Sequence, residues 1–160
     1  MDVSTAEPAR TAQDAAEVLA ARTGVDKHDV AIVLGSGWVP AVDALGPVRA
    51  ELAVTELPGF LPPVVEGHAG RIRSLDVAGV QVLAFLGRTH FYEGRGVEAV
   101  VHGVRVAAAA GCRTIVLTNA CGGLRPGMAV GDPVLLSDHL NLTWRTPLVG
   151  PRWFSIATTL

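Results

Sequence analysis

The sequence has few charged residues and no surplus of positive charge. Charged side chains make up 18% of the 160 residues, and 15 acidic residues slightly outnumber 13 basic ones, for a formal net charge of −2. Proteins that attract nucleic acid or anionic membranes through bulk electrostatics usually carry a basic patch or stripe. We therefore expect neither a nucleic-acid partner nor a membrane partner.

Cysteines and targeting segments are also scarce. Only Cys112 and Cys121 occur, without a CxxC motif, which argues against a disulfide framework and fits a reducing compartment. The N-terminal stretch MDVSTAEPARTAQD has neither the basic region nor the apolar region of a signal peptide. No apolar run is long enough to cross a bilayer. These features predict a cytoplasmic protein.

Apolar residues, in contrast, are abundant at 49% of the chain, which is enough for a sizeable core in one domain of this length. Helical spacing predicts helices over 8–22 and 96–110, with Gly24 and Gly111 as their C-terminal stops. Continuous or alternating apolar runs predict strands over 30–34, 48–54, 71–77, 80–86, 114–120 and 133–142. This mixture favours an α/β fold with a central mixed β-sheet flanked by helices, preceded by a flexible tail over 1–7.

The first predicted strand runs into a glycine turn, LGSGW, at residues 34–38. Gly35 and Gly37 would let the backbone turn tightly and approach a ligand, and amide groups with the Ser36 hydroxyl could hold an anion. A plain glycine turn after a strand explains the same residues. The motif is not a dinucleotide fingerprint, because Pro40 stands where GxGxxG requires its third glycine.

A second polar group follows the apolar run VQVLAFL. Arg88, His90 and Tyr92 come at every second position, so they would point the same way if the chain stays extended. A guanidinium suits phosphate, an imidazole can donate to a hydroxyl or an oxyanion, and a phenol ring can pack on a sugar or base. This set suits a phosphate-requiring sugar substrate, whereas a solvated strand end with unrelated polar residues is the ordinary alternative.

Other chemistry-bearing residues have simple structural explanations as well. His68 lies in a Pro/Gly-rich loop, where surface histidines are common. Asn119 and Ala120 follow a strand, so a backbone amide there could face an anion, or the asparagine could only start a turn. Cys121 is interpreted as a pocket-lining or buried thiol, because nothing nearby in sequence would lower its pKa. No cluster has metal-ligand spacing, and a P-loop is absent.

Taken together, five separated motifs resemble the trimeric purine-nucleoside phosphorylase family: LGSGW, EGHAG, GRTHFYEG, TNACGGLRPGMAVGDPVLLSDHLNLT and TPLVGP. They occur in the family's order across residues 30–151. The resemblance implies an α/β sandwich with a distorted mixed sheet, assembled as a homotrimer. It implies phosphate-dependent cleavage of purine (deoxy)ribonucleosides to free base and (deoxy)ribose 1-phosphate in purine salvage. Inorganic phosphate would be a co-substrate, with no metal and no organic cofactor.

The resemblance also implies roles for individual residues. The phosphate-binding groups would be Ser36, His68, Arg88, His90 and the backbone amide of Ala120. His90 would lie near the ribose 5′-hydroxyl and is the predicted catalytic residue, and Tyr92 would bind the nucleoside. A phosphate dianion held close to C1′ would stabilise the positive charge that develops on the ribose in the transition state.

The resemblance stops after Gly150-Pro151, and RWFSIATTL does not match the family's next segment. The family's base-recognising glutamate and asparagine, and another phosphate-binding serine, belong to the part without a counterpart here. We expect a truncated phosphorylase domain over 8–151 and a divergent tail over 152–160, as a frameshift or early stop would produce. Two alternatives are an inactive remnant that keeps a phosphate-binding half-site, with or without a completing partner chain, and a methylthioadenosine phosphorylase-type relative.

Overall fold

The computed structural model describes residues 3–62 and 70–148. Within these ranges the helices are α1 (Val3–Thr23) and α2 (Gly96–Ala109). The strands are β1 (Val30–Leu34), β2 (Val48–Ala53), β3 (Arg71–Val77), β4 (Val80–Leu86) and β5 (Thr114–Leu117). Short 3₁₀ turns occupy Val39–Ala44, Val54–Glu56 and Phe91–Glu93. In the described ranges no helix has both the length and the apolar character needed to cross a membrane.

The five strands form one mixed sheet in the order β2-β3-β4-β1-β5. β1 pairs in parallel with both β4 and β5, while β2, β3 and β4 form an antiparallel meander. Leu34 lies opposite Leu86, and Val33 lies opposite Leu117. The carboxyl ends of β4, β1 and β5 therefore lie side by side, at the edge where open α/β sheets bind ligands. The predicted α/β fold with a mixed sheet and flanking helices is confirmed.

Apolar side chains cover both faces of the sheet, because successive residues of each strand point to opposite sides. On one face α1 and α2 pack against the strands, with a buried cluster that includes Ala15, Leu19, Leu83, Phe85 and Val106. On the other face the buried cluster consists of Leu34, Val42, Leu75, Val82, Ala84 and Leu86. The continuous apolar runs of β1 and β4 thus reflect burial on both faces.

The N-terminal helix is longer than the sequence predicts. α1 begins at Val3, so residues 3–7, predicted as part of a flexible tail, are helical. Pro8 lies inside the helix and not at its first position. A proline there removes one backbone donor, which raises the cost of the helix locally. Burial of Ala12, Ala15 and Leu19 against the sheet supplies the compensating stabilisation.

The predicted strand over 133–142 is wrong, and the strand predicted over 114–120 ends at Leu117. Residues 118–148 contain no helix and no strand, and large apolar side chains such as Leu135 and Leu140 are exposed. An alternating apolar pattern yields a strand only where a neighbouring strand accepts its hydrogen bonds and a surface covers its apolar side. Neither is present for this segment among the described residues.

Candidate functional site

The ends of β1, β4 and β5 are joined by hydrogen bonds to one residue, Thr118. Its hydroxyl accepts from the backbone N of Gly35 at 2.9 Å and donates to the backbone O of Val33 at 2.9 Å. Its backbone N also donates to Val33 O, at 3.0 Å. Its backbone O accepts from Nη1 of Arg88 at 2.8 Å. The glycine turn after β1 and the arginine after β4 are therefore held at the same point beyond β5.

Gly35 is needed because this junction leaves no room for a side chain. A Cβ atom built on Gly35 would lie 2.6 Å from the backbone O of Thr118 and would collide with the Arg88 guanidinium. Two residues later, Gly37 has φ +81°, a conformation that glycine adopts without steric cost. The backbone N of Trp38 donates to Gly35 O at 3.0 Å and closes the turn. The loop thus presents Ser36, which is exposed, one residue after the glycine that lies against the Arg88 guanidinium.

Arg88 is held in place by its bond to Thr118, but this bond does not use the whole donor capacity of the side chain. A guanidinium carries five N–H donors in a planar fork. The side chain is only partly buried, so its charge is not removed from solvent. A fixed, partly exposed guanidinium next to a glycine turn is an arrangement that suits a phosphate or another tetrahedral oxyanion.

His90 and Tyr92 lie together after Arg88, as predicted, but the backbone does not stay extended. Residues Phe91–Glu93 form a 3₁₀ turn, and the backbone N of His90 donates to Oε1 of Glu93 at 2.6 Å. The rings of His90 and Tyr92 stack at 4.8 Å with an interplanar angle of 14°. Because Tyr92 is 76% exposed, this pair offers a flat aromatic surface beside the turn.

An apolar cavity of about 260 Å³ lies between α2, the segment after β2 and the end of β4. Arg88, Thr89 and Glu93 are its polar lining residues. Most of the remaining lining is apolar and includes Val33, Phe60, Phe85, Val100, Val104 and Leu117. The arginine therefore stands at the border between the glycine turn and an apolar space.

His102 connects α2 to one wall of this cavity. Its Nε2 lies 2.8 Å from the backbone O of Pro58, and because a carbonyl only accepts, Nε2 is the donor. The His102 ring meets Phe60 edge-on at 4.6 Å, and Phe60 packs on Phe85 at 6.3 Å. Burial lowers the pKa of His102, partly offset by the Pro58 carbonyl. This histidine is thus a structural contact between α2 and the segment after β2, and it does not belong to the predicted anion-binding set.

The remaining residues considered from the sequence are not brought together with Arg88 by any hydrogen bond among the described residues. Ala120 lies two residues beyond Thr118 and is exposed, and Nδ2 of Asn119 donates to its backbone O at 3.1 Å. His68 lies outside the described residues. Cys121, predicted to be buried or pocket-lining, is exposed. Across 3–62 and 70–148, no group of three or more His, Cys, Asp or Glu residues is arranged to hold a metal ion.

Comparisons with known proteins agree with this architecture. Residues 12–157 match the model of the phosphorylase superfamily. The chain belongs to this superfamily. It is 56% identical over 144 residues to a purine nucleoside phosphorylase of Mycobacterium tuberculosis, a match that covers 90% of this chain and 54% of the relative. It is 50% identical over 161 residues to a purine nucleoside phosphorylase of Cellulomonas sp, covering 98% and 57%.

Solved structures of the phosphorylase superfamily share the fold. The purine nucleoside phosphorylase from Schistosoma mansoni in complex with acetate superposes with a TM-score of 0.78 at 29% identity, over 89% of this chain and 53% of that chain. The chain thus spans about half the length of the curated relatives it matches. The resemblance to nucleoside phosphorylases that the sequence motifs indicate is confirmed at the level of family and fold.

Sequence reasoning about this phosphorylase-superfamily chain missed Thr118. It singled out the glycine turn, the RTHFY segment and the residues after β5, all of which lie at the carboxyl ends of neighbouring strands. Thr118, however, is one threonine at the end of an apolar run, and its partner Gly35 is 83 positions away in the chain. The only available signal was its place directly after a buried strand beside two other strand ends.

Proposed function

We propose that this chain carries the phosphate-binding part of a purine-nucleoside phosphorylase. The observation that carries the proposal is the guanidinium of Arg88, fixed by Thr118 beside the glycine turn of Gly35–Gly37. An oriented cation next to exposed backbone amides and a serine hydroxyl provides the donors that an inorganic phosphate requires. Relatives at 50–56% identity that are named purine nucleoside phosphorylases support the same assignment.

The proposed reaction uses that phosphate as a nucleophile. One phosphate oxygen forms a bond to C1′ of the nucleoside while the bond from C1′ to the purine nitrogen breaks. The electron pair of the broken bond leaves with the base, which takes up a proton, and ribose 1-phosphate remains. Positive charge develops on the ribose during this exchange, so a dianion held in place by Arg88 and the glycine turn lowers the barrier electrostatically.

The other predicted residues are assigned from the family resemblance of their motifs. Ser36, His68 and the backbone amide of Ala120 complete the phosphate contacts, and His90 lies between phosphate and ribose. Tyr92 packs on the nucleoside through the aromatic surface that it forms with His90. We further propose a homotrimer in the cytoplasm, with inorganic phosphate as co-substrate and without a metal or organic cofactor.

A second candidate is a protein that binds phosphate but does not cleave nucleosides. It is favoured by the exposure of residues 118–148, where Leu124, Leu135 and Trp144 face solvent. The groups assigned at the described strand ends are proposed as donors to an anion, and none of them is assigned a role toward the departing base. Phosphate binding and phosphorolysis must therefore be measured separately.

The test is isothermal titration of the 160-residue chain with inorganic phosphate, followed by an assay of phosphate-dependent release of hypoxanthine from inosine. For Arg88→Ala we expect phosphate binding weakened roughly tenfold to a hundredfold, which is the loss of a charge-assisted hydrogen bond. Arg88→Lys keeps the charge but loses the planar fork, so it should recover only part of the affinity.

Arg10→Ala is the matched control, because it removes one exposed positive charge from α1. It should leave phosphate binding unchanged. If Arg88→Ala and Arg10→Ala lose phosphate affinity equally, the loss reflects only the change in net charge, which would contradict the assigned site. Binding with hypoxanthine release supports the phosphorylase, and binding without release supports the second candidate.

A further inference from the structure

We propose that Thr118 is the positioning residue of the anion site, acting on both Gly35 and Arg88 without touching the substrate. This inference rests on the proposed function, because it concerns the same phosphate site. Thr118 is the only described residue that hydrogen-bonds to both the glycine turn after β1 and the arginine after β4. A change at this residue should therefore alter two phosphate donors together.

The hydroxyl of Thr118 makes two hydrogen bonds. It donates to the backbone O of Val33 and accepts from the backbone N of Gly35, each at 2.9 Å. The N–H of Gly35 is thereby consumed within the protein. The Trp38 N–H donates to Gly35 O, so donors for an anion in this turn must come from Ser36 and Gly37, whose direction depends on where Gly35 is held.

The backbone of Thr118 performs the second task. Its O accepts from Nη1 of Arg88 at 2.8 Å, while its N donates to Val33 O at 3.0 Å. The Thr118 carbonyl that binds Arg88 therefore belongs to the same residue whose hydroxyl is hydrogen-bonded to β1. Gly35 itself has no space for a Cβ atom at this junction, so the packing tolerates little displacement of the turn.

Threonine suits this role better than its closest alternatives. Valine has the same shape and the same strand preference but lacks the hydroxyl, so it would leave the Gly35 N–H without this acceptor. Serine keeps the hydroxyl but loses the branched Cβ that restricts its rotamer. The pair Thr118→Val and Thr118→Ser therefore separates hydrogen bonding from packing.

The experiment measures phosphate affinity by titration and records ¹H–¹⁵N spectra of the Gly35 amide and the Nε–H of Arg88. Thr118→Val should weaken phosphate binding about threefold to tenfold, the effect of one lost hydrogen bond, and should shift both signals. Thr118→Ser should restore affinity to within about twofold and return both signals towards the parent positions. Thr114→Val, at an exposed threonine of β5, the strand that Thr118 follows, should change neither readout.

Each outcome decides the proposal. If Thr118→Val only lowers the melting temperature while the folded protein keeps its phosphate affinity and both signals, the role is merely structural and the proposal fails. It also fails if valine and serine reduce affinity equally. If the parent chain binds no phosphate at all, the proposed function fails, but the two signals still show whether Thr118 positions Gly35 and Arg88.

Discussion

The apolar runs at 30–34 and 133–136 look alike in sequence, but they behave differently in the structure. Residues 30–34 form β1, which lies between two parallel partners and is buried on both faces. Val134, Leu135 and Leu136 belong to no strand and are exposed. The difference indicates that an apolar run forms a strand where a neighbouring strand is available to accept its hydrogen bonds. β5 pairs with β1 although Val116 and Leu117 are exposed, whereas residues 118–148 contain no strand.

The largest consequence of this comparison concerns the free energy of unfolding. Leu83 is 0% exposed in β4, whereas Leu135 is 98% exposed, so the same truncation removes very different packing. We expect Leu83→Ala to cost about 2–5 kcal/mol. Leu135→Ala should stay within about 0.5 kcal/mol. Urea unfolding of both variants measures the two values. A cost above roughly 1 kcal/mol for Leu135→Ala would mean that this segment packs on the protein in solution.

A smaller effect is expected in the reactivity of the two thiols. Cys112 lies before β5 in the packed part of the chain, and Cys121 lies in the exposed segment after β5. Burial raises the pKa of the Cys112 thiol to about 11, which leaves little thiolate at neutral pH. Cys121 is exposed. We expect a neutral alkylating reagent at pH 7.5 to modify Cys121 at least about tenfold faster than Cys112.

Mass spectrometry of the labelled peptides, with Cys121→Ser as a control that leaves only the slow thiol, measures both rates. Unfolding in urea should make the two rates similar, since burial then no longer protects Cys112. Equal rates in the folded chain would mean that the helix end at Ala110–Cys112 opens readily, and the division into a packed and an exposed region would be wrong there.

The parts of the fold and of the candidate site that could be predicted from the sequence are those fixed by local patterns of residues. The strands 30–34, 71–77 and 80–86 were predicted with their observed bounds, because continuous or alternating apolar runs report burial directly. The glycine turn and Arg88 were predicted as site residues because of the donors they could offer to an anion and because the LGSGW and GRTHFYEG motifs resemble the phosphorylase family. The sheet edge that brings them together was expected from the rule for parallel strands.

The failures have a different origin. The strand at 133–142 was wrong because periodicity carries no information about whether a pairing partner exists. Thr118 was missed because its contacts to Gly35 and Arg88 span 83 and 30 positions of the chain. The extended conformation expected for 88–92 was interrupted by a local bond from the His90 N–H to Glu93, which closes a 3₁₀ turn. Long-range hydrogen bonds and competing local ones are the two signals that a residue pattern does not display.

The smallest effect expected is a pH dependence of the free energy of unfolding. It arises from two buried histidines in the packed region, the part of the chain up to β5. Burial lowers the pKa of His28, partly offset by Asp29, and burial likewise lowers the pKa of His102. The Nε2 of His28 lies 2.8 Å from Oγ of Ser74 inside the core. In the unfolded chain both imidazoles bind a proton near pH 6.5. Below that pH the unfolded state therefore binds more protons than the folded state, and stability must fall as pH decreases.

Between pH 7 and pH 5 we expect the free energy of unfolding to decrease, with little change above pH 7. The hydrogen bond from Arg49 helps to lower the pKa of Asp76 to about 2, and hydrogen bonds likewise lower the pKa values of Glu51 and Glu56. These carboxylates act mainly in more acidic solution, so we assign this window to the histidines. His102→Gln removes one titrating ring but keeps an N–H donor for Pro58, so urea unfolding at several pH values should show a shallower slope for this variant. If the slope of unfolding free energy against pH is unchanged in both His102→Gln and His28→Gln, other groups cause the dependence. The buried histidines would then not distinguish the packed region from the exposed segment.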